Sequence, residues 1–330
     1  MKRVCLVIPN WNGWKDTMEC LDSIYCMEKK DELNVIVVDN CSTDESVEKL
    51  QKWALDRFSP EETLFVKMSD NINITNISFE NKQFILVENI ENSGFAGAVN
   101  CGLKFGLAYG NYEYFWVLNN DTIVDRKALS ALLEFVDHSN EEFGVIGTTI
   151  MEFDEKETIQ CAGGCYYNKI LTLNVPYLKG KHLSEIKKNT NKTPRFDYIH
   201  GASMFIPTNT LKNVGLFNED YFLYYEELDF TQRISKYNFM LGWCADSIIY
   251  HKGGSSAGSK SLSNQKKSIL SEYYSNLSAL KYTIRFHKFI FPIVFVLRFI
   301  LKSALLIKNR EWKLFIPLFN SYFDFCLNRK

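Results

Sequence analysis

The sequence has no cysteine pair at C-x-x-C spacing, no apolar run long enough to span a bilayer, no excess of charge and no internal repeat. Each absence removes a class. Nine cysteines are scattered from Cys5 to Cys326, and Cys161 with Cys165 is the nearest approach to a pair. That pattern makes neither a metal site nor a disulfide framework, and it fits reduced thiols in a cytoplasmic compartment. A formal charge of −1 withholds the basic face that nucleic acid requires. The N-terminal apolar run, residues 4–9, is too short for a signal peptide and reads as a buried first strand. What remains is ordinary for a globular chain: 330 residues, 46% hydrophobic and 23% charged. That length suffices for one large domain or for two subdomains sharing a cleft.

Up to about residue 125 strands and helices alternate, which predicts a parallel sheet with crossover helices. Strands are expected at 4–8, 34–38, 84–88 and 114–118, and helices at 15–26, 42–55, 95–109 and 125–137. Ser42 and Glu45 have capping-box spacing, which sets the start of the second helix. The polar, Asn-rich stretch 60–81 reads as a surface loop. From about 140 the pattern is mixed, with short strands near 144–150, 162–167 and 203–207, a helix over 225–237 and a strand over 247–250. The Gly/Ser-rich run 252–260 is expected to be mobile. These changes of pattern divide the chain into a subdomain over 1–125, a second over 126–260 and a helical tail over 261–330.

The tail differs from the rest. From Lys281 onward it carries ten basic residues against two acidic ones, Glu311 and Asp324, interleaved with apolar runs. Pro292, Arg298 and Lys302 interrupt those runs, so the tail reads as an amphipathic helix lying in the headgroup region, its cations on anionic lipid. The alternative is a helical hairpin packed on its own domain or on a second subunit of a homodimer.

Polar residues at strand ends carry the first functional signal, because open parallel sheets bind ligands at their carboxyl edge. Asp39 follows NVIVV, and Asn119-Asn120-Asp121 follows YFWVL. The first could accept from a nucleobase or ribose, and the second could hold a divalent cation against a pyrophosphate. Both are also ordinary helix N-caps. The segment 92–100, NSGFAGAVN, opens a helix with Gly94 and Gly97, as a backbone approaching a phosphate or sugar would require, but it is not the dinucleotide-binding pattern. Glu226 and Glu227 flank an apolar stripe of Phe230, Ile234 and Tyr237, so periodicity does not choose between them as a base. Asp229 and Arg233 stand four apart and pair on the helix. His251 ends a strand beside the Gly/Ser run, where it could be a second metal ligand.

In order, VIPNWNG, VVDNCSTDES, NSGFAGAVN, LNNDTIVD, HGASMFIPTNTLKNVGLFNEDYFLYYEELDF and YHKGGSS resemble the family-2 inverting glycosyltransferases. Within them the likeness is to the bacterial rhamnosyltransferase-type branch, and it covers about residues 3–256. The resemblance implies the GT-A fold, an α/β, Rossmann-like architecture with a mainly parallel central sheet. It also implies a nucleoside-diphosphate sugar donor (UDP, dTDP or GDP) and a divalent metal (Mg²⁺ or Mn²⁺); a saccharide or lipid-linked acceptor and, from the tail, a place at the inner face of the cell membrane are expected with them. Carried over, Pro9 and Asp39 line the nucleobase and ribose pocket, and Asn92, Gly94 and Asn100 border the donor. Asn119-Asn120-Asp121 stands at the family's DXD-type motif, with Asp121 the main metal ligand and His251 completing the metal or diphosphate site. Glu227 falls at the general base, with Glu226 beside it. Two departures matter: Asn119 and Asn120 replace carboxylates, which lowers the charge on the metal, and Glu227 replaces the commoner Asp. A sugar nucleotidyltransferase would need a Gly-rich, basic triphosphate loop, which VIPNWNG lacks. A non-catalytic sugar-nucleotide or carbohydrate-binding module is kept open by the two asparagines.

Overall fold

The computed structural model describes residues 3–68, 81–189, 194–253 and 268–327. The first half runs β1 (Val4–Asn10), α1 (Trp14–Ile24), β2 (Leu33–Asp39), α2 (Ser46–Leu55), β3 (Thr63–Lys67), β4 (Phe84–Glu88), α3 (Gly94–Tyr109), β5 (Tyr114–Leu118), β6 (Thr122–Val124) and α4 (Ala128–Asp137). The second continues with β7 (Phe143–Glu152), β8 (Ile159–Ala162), β9 (Gly164–Asn168), β10 (Leu173–Pro176), α5 (Ser184–Asn189), β11 (Tyr198–Ile199), β12 (Ser203–Pro207), α6 (Thr208–Val214), α7 (Glu226–Ile234) and β13 (Met240–His251). Three helices complete it: α8 (Ile269–Phe286), α9 (Phe291–Lys308) and α10 (Phe315–Leu327).

Runs of Val, Ile and Leu bury β1 and β2 on both faces, which only a sheet covered on both sides allows. The first five strands pair in parallel in the order β3-β4-β2-β1-β5, so their carboxyl ends share one edge. The same ten-stranded sheet continues as β12-β7-β13-β6 with β8 on β7, so one sheet runs through residues 1–125 and 126–260 alike. β12 is antiparallel to both neighbours, and β7 and β13 are parallel. A small antiparallel sheet, β10-β9-β11, stands beside it. Gly102 lets α3 lie directly on β1 and β2, since an added Cβ would sit 2.5 Å from Val7 and 3.0 Å from Val38.

Several local expectations need correction. The second helix starts at Ser46, because Ser42 is already used: its N–H donates to Asp39 Oδ2 at 2.9 Å and its Oγ accepts from Asn12 N–H. Asp44 Oδ1 takes the N–H of Ser46 instead, at 3.0 Å. Residues 63–67, expected in a loop, form edge strand β3, whose sparse burial weakens its signal. The strand expected at 247–250 is the end of the longer β13, broken by a register shift between Cys244 and Ile248. Tyr237 lies beyond α7 and is exposed, so the buried stripe is Phe230 and Ile234. Of the Gly/Ser run, residues from 254 onward lie outside the described residues, as do 69–80 of the Asn-rich stretch.

The tail also departs from expectation. Ala279 and Tyr282 of α8 join the sheet core, and α9 and α10 pack on α8 through Leu280, Phe291, Leu306 and Leu318. The three helices pack on one another and, through α8, on the sheet core. Arg298 and Lys302 do not face outward. Arg298 is 5% exposed and donates to Asn276 Oδ1 at 2.9 Å, to the Ser275 carbonyl at 2.7 Å and to Thr172 Oγ1. Lys302 lies 3.5 Å from the buried Glu272 carboxylate. Among the described residues no helix is long and apolar enough to cross a membrane.

Candidate active site

The carboxyl edge of the parallel strands opens into a cavity of about 460 Å³. Nine of the residues singled out from sequence line it: Pro9, Asn92, Gly94, Asn119, Asn120, Asp121, Glu226, Glu227 and His251. Asp39 and Asn100 do not. Asp39 sits behind Asn10, which does line the cavity: its Oδ1 accepts from Asn10 Nδ2 at 2.7 Å, and it is 1% exposed. Asn100, expected at the donor's border, clamps α3 to the loop before α7. Its amide donates to the Phe217 carbonyl and to Glu219, and its oxygen accepts from Phe217 N–H.

Gly94 brings two distant segments together. Its φ is +73°, and an added Cβ would lie 2.3 Å from the Phe222 carbonyl oxygen, which accepts from Phe95 N–H at 2.8 Å. The close approach here is of chain to chain, and it sets Phe222, Leu223 and Tyr224 on the cavity wall. Asn40, not singled out from sequence, ties the same region: it donates to Asn92 Oδ1 at 2.8 Å and to the Gly94 carbonyl at 3.1 Å. Its place directly after Asp39 is the signal that could have found it.

At the end of β5, Asp121 Oδ1 lies 3.2 Å from His251 Nε2. His251 Nδ1 faces Gln160 Oε1 at 2.6 Å, and Gln160 Nε2 donates to Glu152, which turns the amide oxygen toward the imidazole. Nδ1 is therefore a donor, and Nε2 is the ring nitrogen turned to the carboxylate. Two lone-pair donors at 3.2 Å are spaced as neighbouring ligands on one cation with bonds of about 2.1 Å. The Asn119 amide reaches the same Nε2, its Nδ2 at 3.4 Å, and its Oδ1 is buried without a hydrogen-bond partner. The donor set thus fits a divalent metal, with one carboxylate where two are commoner. Asn120 is turned to α1, donating to Thr17 Oγ1 at 3.0 Å.

His200 also lines the cavity, with its ring 6.1 Å from that of His251. Burial, with the nearby His251, lowers its pKa to about 3, so it is neutral at physiological pH. Its Nδ1 accepts from Ala202 N–H at 3.2 Å, leaving Nε2–H as a donor. Sequence reasoning passed over it, although it heads the string HGASMFIP just before β12.

The two glutamates reach the wall through a strained turn. Tyr224 and Tyr225 have φ of +67° and +74°, a left-handed pair that starts α7 with both carboxyls at the cavity. Glu226 and Glu227 each keep an Oε2 buried without a partner. Burial raises both acids: Glu226 well above the ordinary range, helped by the Glu227 charge, and Glu227 up to about 7. The contact between them works in opposite directions, raising Glu226 and lowering Glu227. Glu226 is thus the proton holder of the pair, and Glu227 the member that ionises near neutrality.

The family model for glycosyl transferase family 2 matches residues 5–206. The low-salt glycan biosynthesis hexosyltransferase Agl10 of Haloferax volcanii is 28% identical over 158 residues, 46% of this chain and 47% of Agl10. The chain thus spans about half the length of that curated relative. Among solved structures, the mannosyltransferase PcManGT of Pyrobaculum calidifontis, in complex with GDP-Man and Mn²⁺, matches with a TM-score of 0.55 at 14% identity, over 99% of this chain and 88% of its own. GalNAc-T7 with UDP, GalNAc and Mn²⁺ matches with a TM-score of 0.56 at 16% identity, over 76% of this chain and 44% of its own. At such identities the likeness is one of fold, and that fold is GT-A.

Proposed function

The chain belongs to glycosyl transferase family 2, and from that membership and the cavity we propose that it transfers a sugar from a nucleoside-diphosphate donor to an acceptor hydroxyl with inversion. One observation carries the reading: a single cavity holds both the Asp121–His251 pair and the Glu226–Glu227 pair. The first suits a diphosphate with its cation, and the second suits a hydroxyl that must lose a proton.

Glu227, ionised near neutrality, takes the proton of the acceptor hydroxyl. Glu226 keeps its own proton and orients Glu227 through their contact. The hydroxyl oxygen then attacks the anomeric carbon from the face opposite the diphosphate, which leaves with the electron pair of the broken bond. One displacement inverts the centre. Asp121 and His251, with the Asn119 side-chain amide beside them, would hold Mg²⁺ or Mn²⁺, which when bound neutralises charge on the leaving diphosphate. Pro9, Asn10, Asn40 and Asn92 form the side of the cavity assigned to the nucleoside, with Asp39 fixing Asn10 from behind. The nucleotide of the donor (UDP, dTDP or GDP), the rhamnosyltransferase-type branch and a role in bacterial surface polysaccharide or glycolipid synthesis belong to this proposal. So do a saccharide or lipid-linked acceptor and a place at the cytoplasmic face of the membrane.

A panel of UDP-, dTDP- and GDP-sugars with Mn²⁺, read by thermal shift and by release of nucleoside diphosphate, tests the reading. One donor should raise the melting temperature and be slowly hydrolysed with metal, and Asp121→Asn should lose the hydrolysis. A donor that binds without any turnover would instead favour the non-catalytic module that the two asparagines keep open.

A further inference from the structure

α9 turns two cations inward among its buried apolar residues and leaves a second apolar face bare. Arg298 and Lys302 point into the protein, while Ile293, Val296 and Ile300 each leave more than half of their surface bare. α10 repeats the pattern with Ile316, Phe319 and Phe323 at helical spacing. Phe289, 88% exposed in the turn before α9, and Trp312, 63% exposed between α9 and α10, add two bare aromatics. These eight side chains leave on the order of 100 Å² of apolar surface bare each, gathered on two successive helices and the turns beside them, against the few hundred Å² of a soluble monomer's usual largest contiguous patch.

In water the bare outer apolar groups and the dehydrated inward cations are both unfavourable. Against an apolar medium the same placement is the favourable one: the cations find Asn276, the Ser275 carbonyl, Thr172 and Glu272, and the outer face needs no polar partner. Lys288, Lys308, Arg310 and Lys313 are exposed at the ends of α9 and in the connection to α10, with Glu311 the single acid between Lys288 and Lys313. Apolar chains for the face and phosphates for the rim are what a lipid leaflet offers. A second copy of this chain would bring cationic rim to cationic rim across a two-fold axis.

The surface adjoins the active site. Arg298 donates to Thr172, so the tip of the β9–β10 hairpin is tied to α9. Along β10, Leu173 and Val175 are exposed while Asn174 and Pro176 line the cavity, the alternation of a strand. We infer that α9 and α10 insert their apolar face into one leaflet of a lipid bilayer and thereby hold the cavity at the membrane surface.

Insertion differs from adsorption in its response to salt, and that difference is the test. The full chain is floated with phosphatidylcholine vesicles and with vesicles that also contain phosphatidylglycerol, in low salt and in about 1 M salt. Co-flotation with both is expected, stronger on the anionic vesicles, and it persists on the neutral ones at high salt. The double variant Ile316→Asp, Phe323→Asp should partition at least about tenfold less. Its melting temperature and nucleotide-sugar binding should stay at wild-type values, because both side chains are exposed and neither lines the cavity. Flotation on anionic vesicles alone, lost in salt, overturns insertion in favour of surface adsorption. Absence of flotation also overturns it, and a dimer mass that Ile316→Asp reduces to a monomer assigns the face to a second copy. A protein that floats but turns over no donor supports insertion and counts only against the proposed reaction.

Discussion

Glu227→Gln separates a catalytic base from a structural acid by moving activity and stability in opposite directions. The wild-type carboxyl rises from 4.5 to about 7, chiefly by burial, with Glu226 and the backbone at the start of α7 opposing. That rise corresponds to roughly 3 kcal/mol of disfavoured ionisation, an upper figure because part of the side chain meets solvent. The folded state holds this proton more tightly than the unfolded chain does. Its contribution to stability is therefore full below about 4.5, declines as the pH rises toward about 7, and stays at its lowered level above. Glutamine removes the charge that folding disfavours. The variant should melt several degrees above wild type near pH 8, and the gap should close near pH 4. Activity runs the other way. Wild-type transfer should rise with pH through about 7 as Glu227 ionises, and Glu227→Gln should lower turnover about 10²–10⁴-fold with donor binding intact. Glu226→Gln can still donate to Glu227 and should cost less than about tenfold. The assay is transfer at saturating donor, with donor affinity and melting measured on the same preparations. A large loss for Glu226→Gln beside a near-normal Glu227→Gln reverses the assignment, and near-normal turnover in both places the base elsewhere.

Three further outcomes are expected of the site. Chelation should abolish donor hydrolysis and Mn²⁺ restore it, whereas Asp121→Asn should stay inactive after Mn²⁺ is added; metal-independent hydrolysis would contradict the ligand assignment. Asp39→Ala should weaken nucleoside-diphosphate binding by about 1–3 kcal/mol and also lower the melting temperature, because Asn10 and Ser42 lose their acceptor; calorimetry showing unchanged affinity for UDP, dTDP and GDP would remove Asp39 from the nucleotide side. Gly94→Ala places a Cβ 2.3 Å from the Phe222 oxygen at a φ of +73°, so stability should fall by about 2 kcal/mol or more, read by denaturant unfolding; a wild-type midpoint would show that the Gly94–Phe222 approach is not needed.

How much of this was legible in the sequence depends on how far each signal reaches along the chain. The strand ends read well because β1, β2, β4 and β5 are short apolar runs with polar residues immediately after them, a signal contained within ten residues. Asn119, Asn120 and Asp121 follow from that alone. Asn100, put at the donor's border by the family resemblance alone, is held by Phe217 and Glu219, partners more than a hundred residues on that no local pattern reveals. Glu226 and Glu227 could not be separated by periodicity, since both flank the same stripe; what distinguishes them is their mutual contact and the turn at Tyr224 and Tyr225. The tail shows the limit most clearly. An apolar run broken by Arg298 and Lys302 predicts amphipathicity, but the pattern is the same whether the cations face water or the protein. The choice belongs to Asn276, Thr172 and Glu272, residues on other elements that supply inward partners. Once those partners take part of the inward face, Ile293, Val296 and Ile300 are left to face outward beside the buried Phe291, Val294 and Leu306. Periodicity therefore gives the angle between the two faces of a helix, and the partners on neighbouring elements decide which face is turned outward.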